Sequence, residues 1–335
     1  MVSLNTYLNP EIAGSLAGIG FKARQPVEGS IAGLHRSPLH GLSPEFADYR
    51  SYTPGDDLKN LDWKAYARSD RFYIKRFEEE SNLRAVFIVD SSASMKYGGP
   101  DFSKYDCAAT IAVSLSSVLL KQRDAVGLAI LNDRVQEDLR TGSTASHLAK
   151  FMEVLQQTEL QGETDIGPAV AQVADQIHRR GIVVVLSDLL TPLDRFYESL
   201  GKLQYAGHEV IVMHVLHRDE VELPFKDSVI FKDIEGEEEI FAEPWAFHKA
   251  YQAAMEEFIQ ETRQRCQFCG IDYLQIFTDA NLSRVLSSYL HNRQFGGAKT
   301  HRGRMASLGG SAGSDNQTLD SPALDSRAGQ PSESE

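Results

Sequence analysis

The chain has 335 residues, with 34 Lys+Arg against 47 Asp+Glu and a formal net charge of −13. Hydrophobic residues make up 42% and charged residues 24%, the balance of a globular protein with a real core, and the length suits about two domains or one large domain with extensions. The acid excess argues against a nucleic-acid partner and against docking on anionic lipid, and three cysteines are too few for a disulfide framework and fit a reducing compartment.

Residues 1–80 hold little sustained periodicity and many breakers, among them Pro26, Gly29, Pro38, Gly41, Pro54 and Gly55. They read as an N-terminal β-rich arm or small subdomain. The first residues show no basic stretch followed by an apolar block, so no secretory signal is expected. No run approaches the ~20 apolar residues of a membrane span, so membrane insertion is not expected and the cytoplasm is the expected location. Basic and aromatic residues interleave from Arg50 to Arg76, but Asp56, Asp57, Asp62 and Asp70 interrupt them. That mixture suits packing or a protein contact better than nucleic acid.

Residues 81–295 alternate short apolar runs with longer helical patterns. The expected strands are Ala85–Val89, Ala125–Leu131, Ile182–Leu186, Glu209–Val215 and Ile271–Phe277. Most are nearly continuous apolar runs, as strands covered on both faces should be. The expected helices are Lys104–Gln122, Ala145–Gln157, Gly167–Arg179, Leu193–Tyr205, Pro244–Cys266 and Asn281–Asn292. Such alternation implies right-handed crossovers and an α/β fold with a doubly wound, mostly parallel sheet. A small polar hairpin is expected around 228–241. From 296 to 335 the chain is rich in Gly, Ser and Ala, with Asp, and has few large apolar residues, so it reads as a disordered tail. Most of the acid excess, −11 of −13, falls on residues 81–295.

In open α/β sheets, ligands gather at the carboxyl ends of strands. The first strand runs into Asp90-Ser91-Ser92-Ala93-Ser94, where alternate positions bring Asp90, Ser92 and Ser94 toward one point. Thr164 precedes a helix, and Asp188 ends the Ile182–Leu186 strand. Taken singly, each has a plain structural reading; a Ser near a helix start is usually an N-cap. Five oxygen donors in this order suit a hard ion, Mg²⁺ or Mn²⁺, with room for an outside carboxylate. Cys266 and Cys269 form a CxxC pair with no second pair for zinc, so they read as structural thiols.

The DSSAS segment, then Thr164, then Asp188 resembles the metal-ion-dependent adhesion site of von Willebrand factor A domains. The stretch before it carries EF…RxYxPGDD, then DW…AR, then KRFEEE. With these the chain, from about residue 10 to 293, resembles the bacterial "domain of unknown function 58" family, a von Willebrand A-like group. That resemblance implies direct coordination by Ser92, Ser94 and Thr164, and by Asp90 and Asp188 directly or through water. It also implies an adaptor or co-chaperone-like partner of a MoxR-type AAA+ ATPase, binding a partner carboxylate through the metal, with no catalysis of its own. The alternative is a Mg²⁺-dependent phosphohydrolase with Asp90 as nucleophile. Against it, the position two residues on is Ser92, which is no acid or base.

Overall fold

The computed structural model describes residues 7–24, 35–36, 45–53, 62–69, 71–78, 80–81, 83–99, 102–162, 165–225, 227–232 and 239–295. The expected tail, the hairpin tip and Thr164 lie outside the described residues. In chain order, α1 (Pro10–Ser15), β1 (His35–Arg36), β2 (Glu45–Ser51), α2 (Trp63–Ser69), β3 (Tyr73–Glu78) and β4 (Glu80–Ser81) come first. They are followed by β5 (Arg84–Asp90), β6 (Gly98–Gly99), β7 (Phe102–Ser103), α3 (Lys104–Lys121), β8 (Ala125–Leu131), β9 (Val135–Gly142), α4 (Ala145–Gln157) and α5 (Ile166–Gln176). Next are β10 (Ile182–Ser187), α6 (Leu193–Tyr205), β11 (Glu209–Leu216), α7 (Arg218–Glu222), β12 (Val229–Lys232), β13 (Glu239–Ala242), α8 (Pro244–Phe268), β14 (Asp272–Phe277) and α9 (Leu282–Phe295).

Six strands form the central sheet in the order β14-β11-β10-β5-β8-β9. Every neighbouring pair is parallel except β8 and β9. The fold is therefore a doubly wound, mostly parallel α/β sheet. Strand periodicity explains the two layers of helices. Along β5, Ala85, Phe87 and Val89 face a core shared with α3, α4 and α9. Val86 and Ile88 face a second core shared with α5 and α6. The same split recurs on β10, with Ile182, Val184 and Leu186 on one side and Val183 and Val185 on the other. Burying one such side chain stabilises the fold by about 1.5–3 kcal/mol relative to exposure. Phe87 and Phe151 meet edge to face with centroids 5.9 Å apart, tying α4 to the sheet.

β9 was not expected from the sequence. Its VQEDLRTG has no apolar run, because it is an edge strand with Glu137, Asp138 and Arg140 exposed. Asn132 makes the turn into it: its side-chain oxygen accepts the Arg134 N–H at 3.1 Å and the Gln136 amide at 2.6 Å.

The N-terminal region is more than an arm. Asn9 caps α1 by accepting the Glu11 and Ile12 N–H groups, and Pro10 sits in the first turn. Tyr7, Ile12, Leu16 and Phe21 then enter the core on the α3–α9 side of the sheet. Arg293 on α9 fixes this segment. It donates to the Lys22 carbonyl at 2.8 Å, lies 5.1 Å from the Phe21 ring centroid, and pairs with Glu209 and with Asp272 at 2.6 Å. Among the described residues, no helix is long and apolar enough to cross a membrane.

Candidate metal centre

From β5 the chain moves outward to β8 and β9, then crosses back to lay β10 on the other side of β5. The winding reverses between β5 and β10, which is where open α/β sheets leave a crevice at their carboxyl ends. Val89 is in register with Leu186, so Asp90 and Ser187 leave the sheet side by side.

Asp90 is 1% exposed. One carboxylate oxygen accepts the Ser92 N–H at 2.9 Å, and the other accepts the Ser187 hydroxyl at 2.6 Å. Ser187 is oriented in turn by the Leu189 N–H, 2.9 Å from its oxygen. The Ser92 and Ser94 hydroxyl oxygens lie 3.0 Å apart, both buried, at the start of a 3₁₀ turn over Ala93–Lys96. The sequence pattern thus brings Asp90, Ser92 and Ser94 together. Burial, and then the charge of Asp188, push the Asp90 carboxyl up to about 7, against hydrogen bonds that favour its ionised form.

Asp188 is fully buried beside them but already engaged. One oxygen accepts the Leu190 N–H at 3.1 Å, and the other pairs with the Lys104 ammonium at 2.7 Å. Lys104 is itself fully buried and also pairs with Glu220. Its position is unusual. Ser103 and Asp106 form a capping box that starts α3, so Lys104 occupies the first helical position. A cation there opposes the helix dipole, and burial alone pulls its pKa down. Asp188 and Glu220 outweigh that penalty and hold it above its ordinary value. Glu220 is held in its own capping box, accepting the His217 N–H at 2.8 Å at the start of α7.

His214 completes the floor. Its Nε2 lies 2.8 Å from the Asp188 carbonyl and donates to it, while its Nδ1 meets the Tyr273 hydroxyl at 2.7 Å. Burial lowers its pKa to about 4, so the ring is neutral and one nitrogen is an acceptor for the tyrosine. Thr164 is outside the described residues. The chain just before it runs along the site: Gln161 N–H donates to the Ser91 carbonyl at 3.1 Å, and Ala93 N–H to the Gly162 carbonyl at 3.3 Å.

The donor chemistry fits a hard divalent ion. Asp90, Ser92, Ser94 and Asp188 offer oxygen and no nitrogen or sulfur. Three carboxylates (Asp90, Asp188, Glu220) face one ammonium, and Asp90 has no cationic partner among the described residues. No three His, Cys, Asp or Glu side chains gather as metal ligands among the described residues. A site here is accordingly a mixed carboxylate–hydroxyl one. Lys104, Ser187, Glu220 and His214 were absent from the sequence-based set. The available signals were a lysine directly after a helix N-cap and a serine directly before Asp188.

The CxxC pair does not form a site of its own. Cys266 is buried and Cys269 exposed, both with free thiols, at the end of α8.

Fold and site together define a Rossmann-like α/β protein with a buried carboxylate–hydroxyl cluster at its switch point. The family model "Protein of unknown function DUF58" matches residues 48–262, and the chain belongs to that family. A Mycobacterium tuberculosis relative, "Uncharacterized protein Rv1480", is 25% identical over 298 residues, covering 88% of this chain and 93% of its own. A shorter one from Mycobacterium avium, "Uncharacterized protein MAV169", is 26% identical over 133 residues, 39% of this chain and 78% of its own. Among solved structures, BatB from Bacteroides thetaiotaomicron matches 64% of this chain and 99% of its own, with 16% identity and a TM-score of 0.43. An aerotolerance-related membrane protein from Bacteroides fragilis matches 63% and 98%, also with 16% identity and a TM-score of 0.43.

Proposed function

We propose that the protein is a divalent-metal-dependent protein-interaction module that takes a partner's carboxylate at the carboxyl end of its sheet. One observation carries the reading: a buried Asp90 without a cationic partner among the described residues, beside two buried hydroxyls and a second buried aspartate. Asp90, Ser92, Ser94 and Asp188, with Thr164, would hold Mg²⁺ or Mn²⁺. The bound ion supplies an open coordination position for an outside oxygen ligand. Ser187 and the Ser92 N–H fix the Asp90 carboxylate. Lys104 neutralises part of the Asp188 and Glu220 charge, so the protein's own oxygens do not saturate the site. A chain of net charge −13 repels an acidic partner, and a divalent ion at the rim reverses that locally.

By family resemblance the partner is a MoxR-type AAA+ ATPase, met in the cytoplasm, where thiols such as Cys107, Cys266 and Cys269 stay free. The test is capture of that ATPase by the wild type in Mg²⁺, by the wild type in chelator, and by Asp90→Ala and Ser92→Ala. The reading expects capture in the first case alone. Equal capture in all four, with melting temperatures intact, sinks it. Mg²⁺-dependent hydrolysis of p-nitrophenyl phosphate, lost in Asp90→Asn, would replace it with the phosphohydrolase.

A further inference from the structure

At the opposite end of the sheet lies a cavity of about 700 Å³, within the size range of small-ligand sites. It opens at the amino ends of β5 and β10, the far end of β9, and the loop after α5. Its apolar wall includes Val86, Val173 and Ile182, and three guanidinium groups, Arg84, Arg140 and Arg179, line it. None of the three makes an ion pair among the described residues. His208 also lines it, and the residue is 3% exposed.

Arginines outnumber aspartates on the lining, three to two. Burial, and then the nearby Arg179, lower the Arg84 pKa. Burial also lowers that of His208, against a hydrogen bond with the Ile177 backbone, and Arg180 adds to the lowering. The carbonyl end of α5 opens here too, so part of the positive charge offsets its dipole. That task does not need a cavity. Asp138 and Asp175 on the same lining are acceptors for donor groups such as hydroxyls or an amine.

We propose that this cavity binds a nucleotide-sized organic phosphate. Arginine forks meet the phosphate, and the apolar wall meets the ligand's body. Close backbone approach shapes the entrance: an added Cβ on Gly181 would sit 2.3 Å from the Arg84 carbonyl oxygen, so only glycine fits there. The site stands apart from the metal centre, and neither proposal depends on the other.

Calorimetric titration of the full chain with AMP, ribose 5-phosphate, adenosine and inorganic phosphate tests this. AMP is expected to bind with a Kd below ~1 mM, and adenosine at least about tenfold more weakly. Arg179→Gln, an exposed change that leaves the fold alone, and Arg84→Gln should each weaken AMP about tenfold, while Cys269→Ser, at an exposed thiol away from the cavity, leaves it unchanged. No binding by any phosphate probe, or wild-type AMP affinity in both Arg179→Gln and Arg84→Gln, overturns the proposal. Binding of a phosphoserine peptide with AMP and ribose 5-phosphate silent overturns it in favour of a protein ligand.

Discussion

The two ends of the central sheet treat charge in opposite ways. At the amino end, the acids that open β11 and β14, Glu209 and Asp272, are matched by Arg293, with Arg24 also on Asp272, and three further guanidiniums stand nearby without an ion pair among the described residues. At the carboxyl end, Lys104 pairs with Asp188 and Glu220, and Asp90 has no cationic partner among the described residues. Both clusters have a buried centre, Arg293 at one end and Lys104 with Asp188 at the other, so neither is cheap to keep, and a buried ion pair is by itself weak evidence for stability. The difference is completeness. Arg293 closes its cluster and clasps the N-terminal segment onto α9, a structural job. Lys104 leaves Asp90 uncompensated, and on the proposed function that deficit is where a cation would bind.

Removing each cation breaks the comparison most sharply. Arg293→Met should cost about 3–5 kcal/mol of unfolding free energy, because two carboxylates lose their buried partner. Urea denaturation should show that loss unchanged by Mg²⁺. Lys104→Met should cost about the same in chelator, yet Mg²⁺ should restore part of it, since a divalent ion takes over the charge. Equal behaviour of the two variants would erase the distinction between the ends.

Ser187→Ala comes next. It leaves the Asp90 oxygen without its 2.6 Å donor, an expected loss of about 1–3 kcal/mol together with weaker Mn²⁺ binding by calorimetry.

A pH series sharpens the same contrast. The Asp90 carboxyl is raised to about 7 from the ordinary 3.8. A raised acid contributes stability that is full below the unfolded-state value and is lost as pH rises through the folded-state value. In chelator, wild-type stability should therefore decline from pH 4 toward pH 7 relative to Asp90→Asn. Ion affinity should run the other way, falling about tenfold per pH unit below about 7 as protons compete for the carboxylate.

The smallest effect is expected at Cys269→Ser, an exposed thiol outside both clusters, which should move stability by no more than about 0.5 kcal/mol and leave ion binding unchanged.

The sequence made the frame legible where burial on two faces writes itself as an apolar run. β5, β8, β10 and β11 all read that way, and their order implied a parallel sheet; β14, a partly exposed edge strand, still keeps enough apolar residues to show. β9 escaped because an edge strand has little to bury. α7, five residues long, is too short to show a period. The N-terminal segment looked like an arm because its four core side chains are spread across 15 residues and acquire a core only against α3 and α9. At the site, Asp90, Ser92, Ser94 and Asp188 were legible from their places at strand ends. Lys104 was not: its pairing with Asp188 spans 84 residues and depends on where α3 starts. Ser187 was hidden for a similar reason, since its bond to Asp90 follows from the β5–β10 register.

The central claim is that the carboxyl end of the sheet holds a divalent cation through Asp90. Thermal melting of the wild type and Asp90→Asn in chelator and across a Mg²⁺ or Mn²⁺ series tests it directly. The account predicts a wild-type melting temperature that climbs with ion concentration, reaching about 2.7 kcal/mol of added stability at 100 times Kd, and no climb in Asp90→Asn. A wild-type melt indifferent to both ions, or an identical climb in the variant, would contradict it.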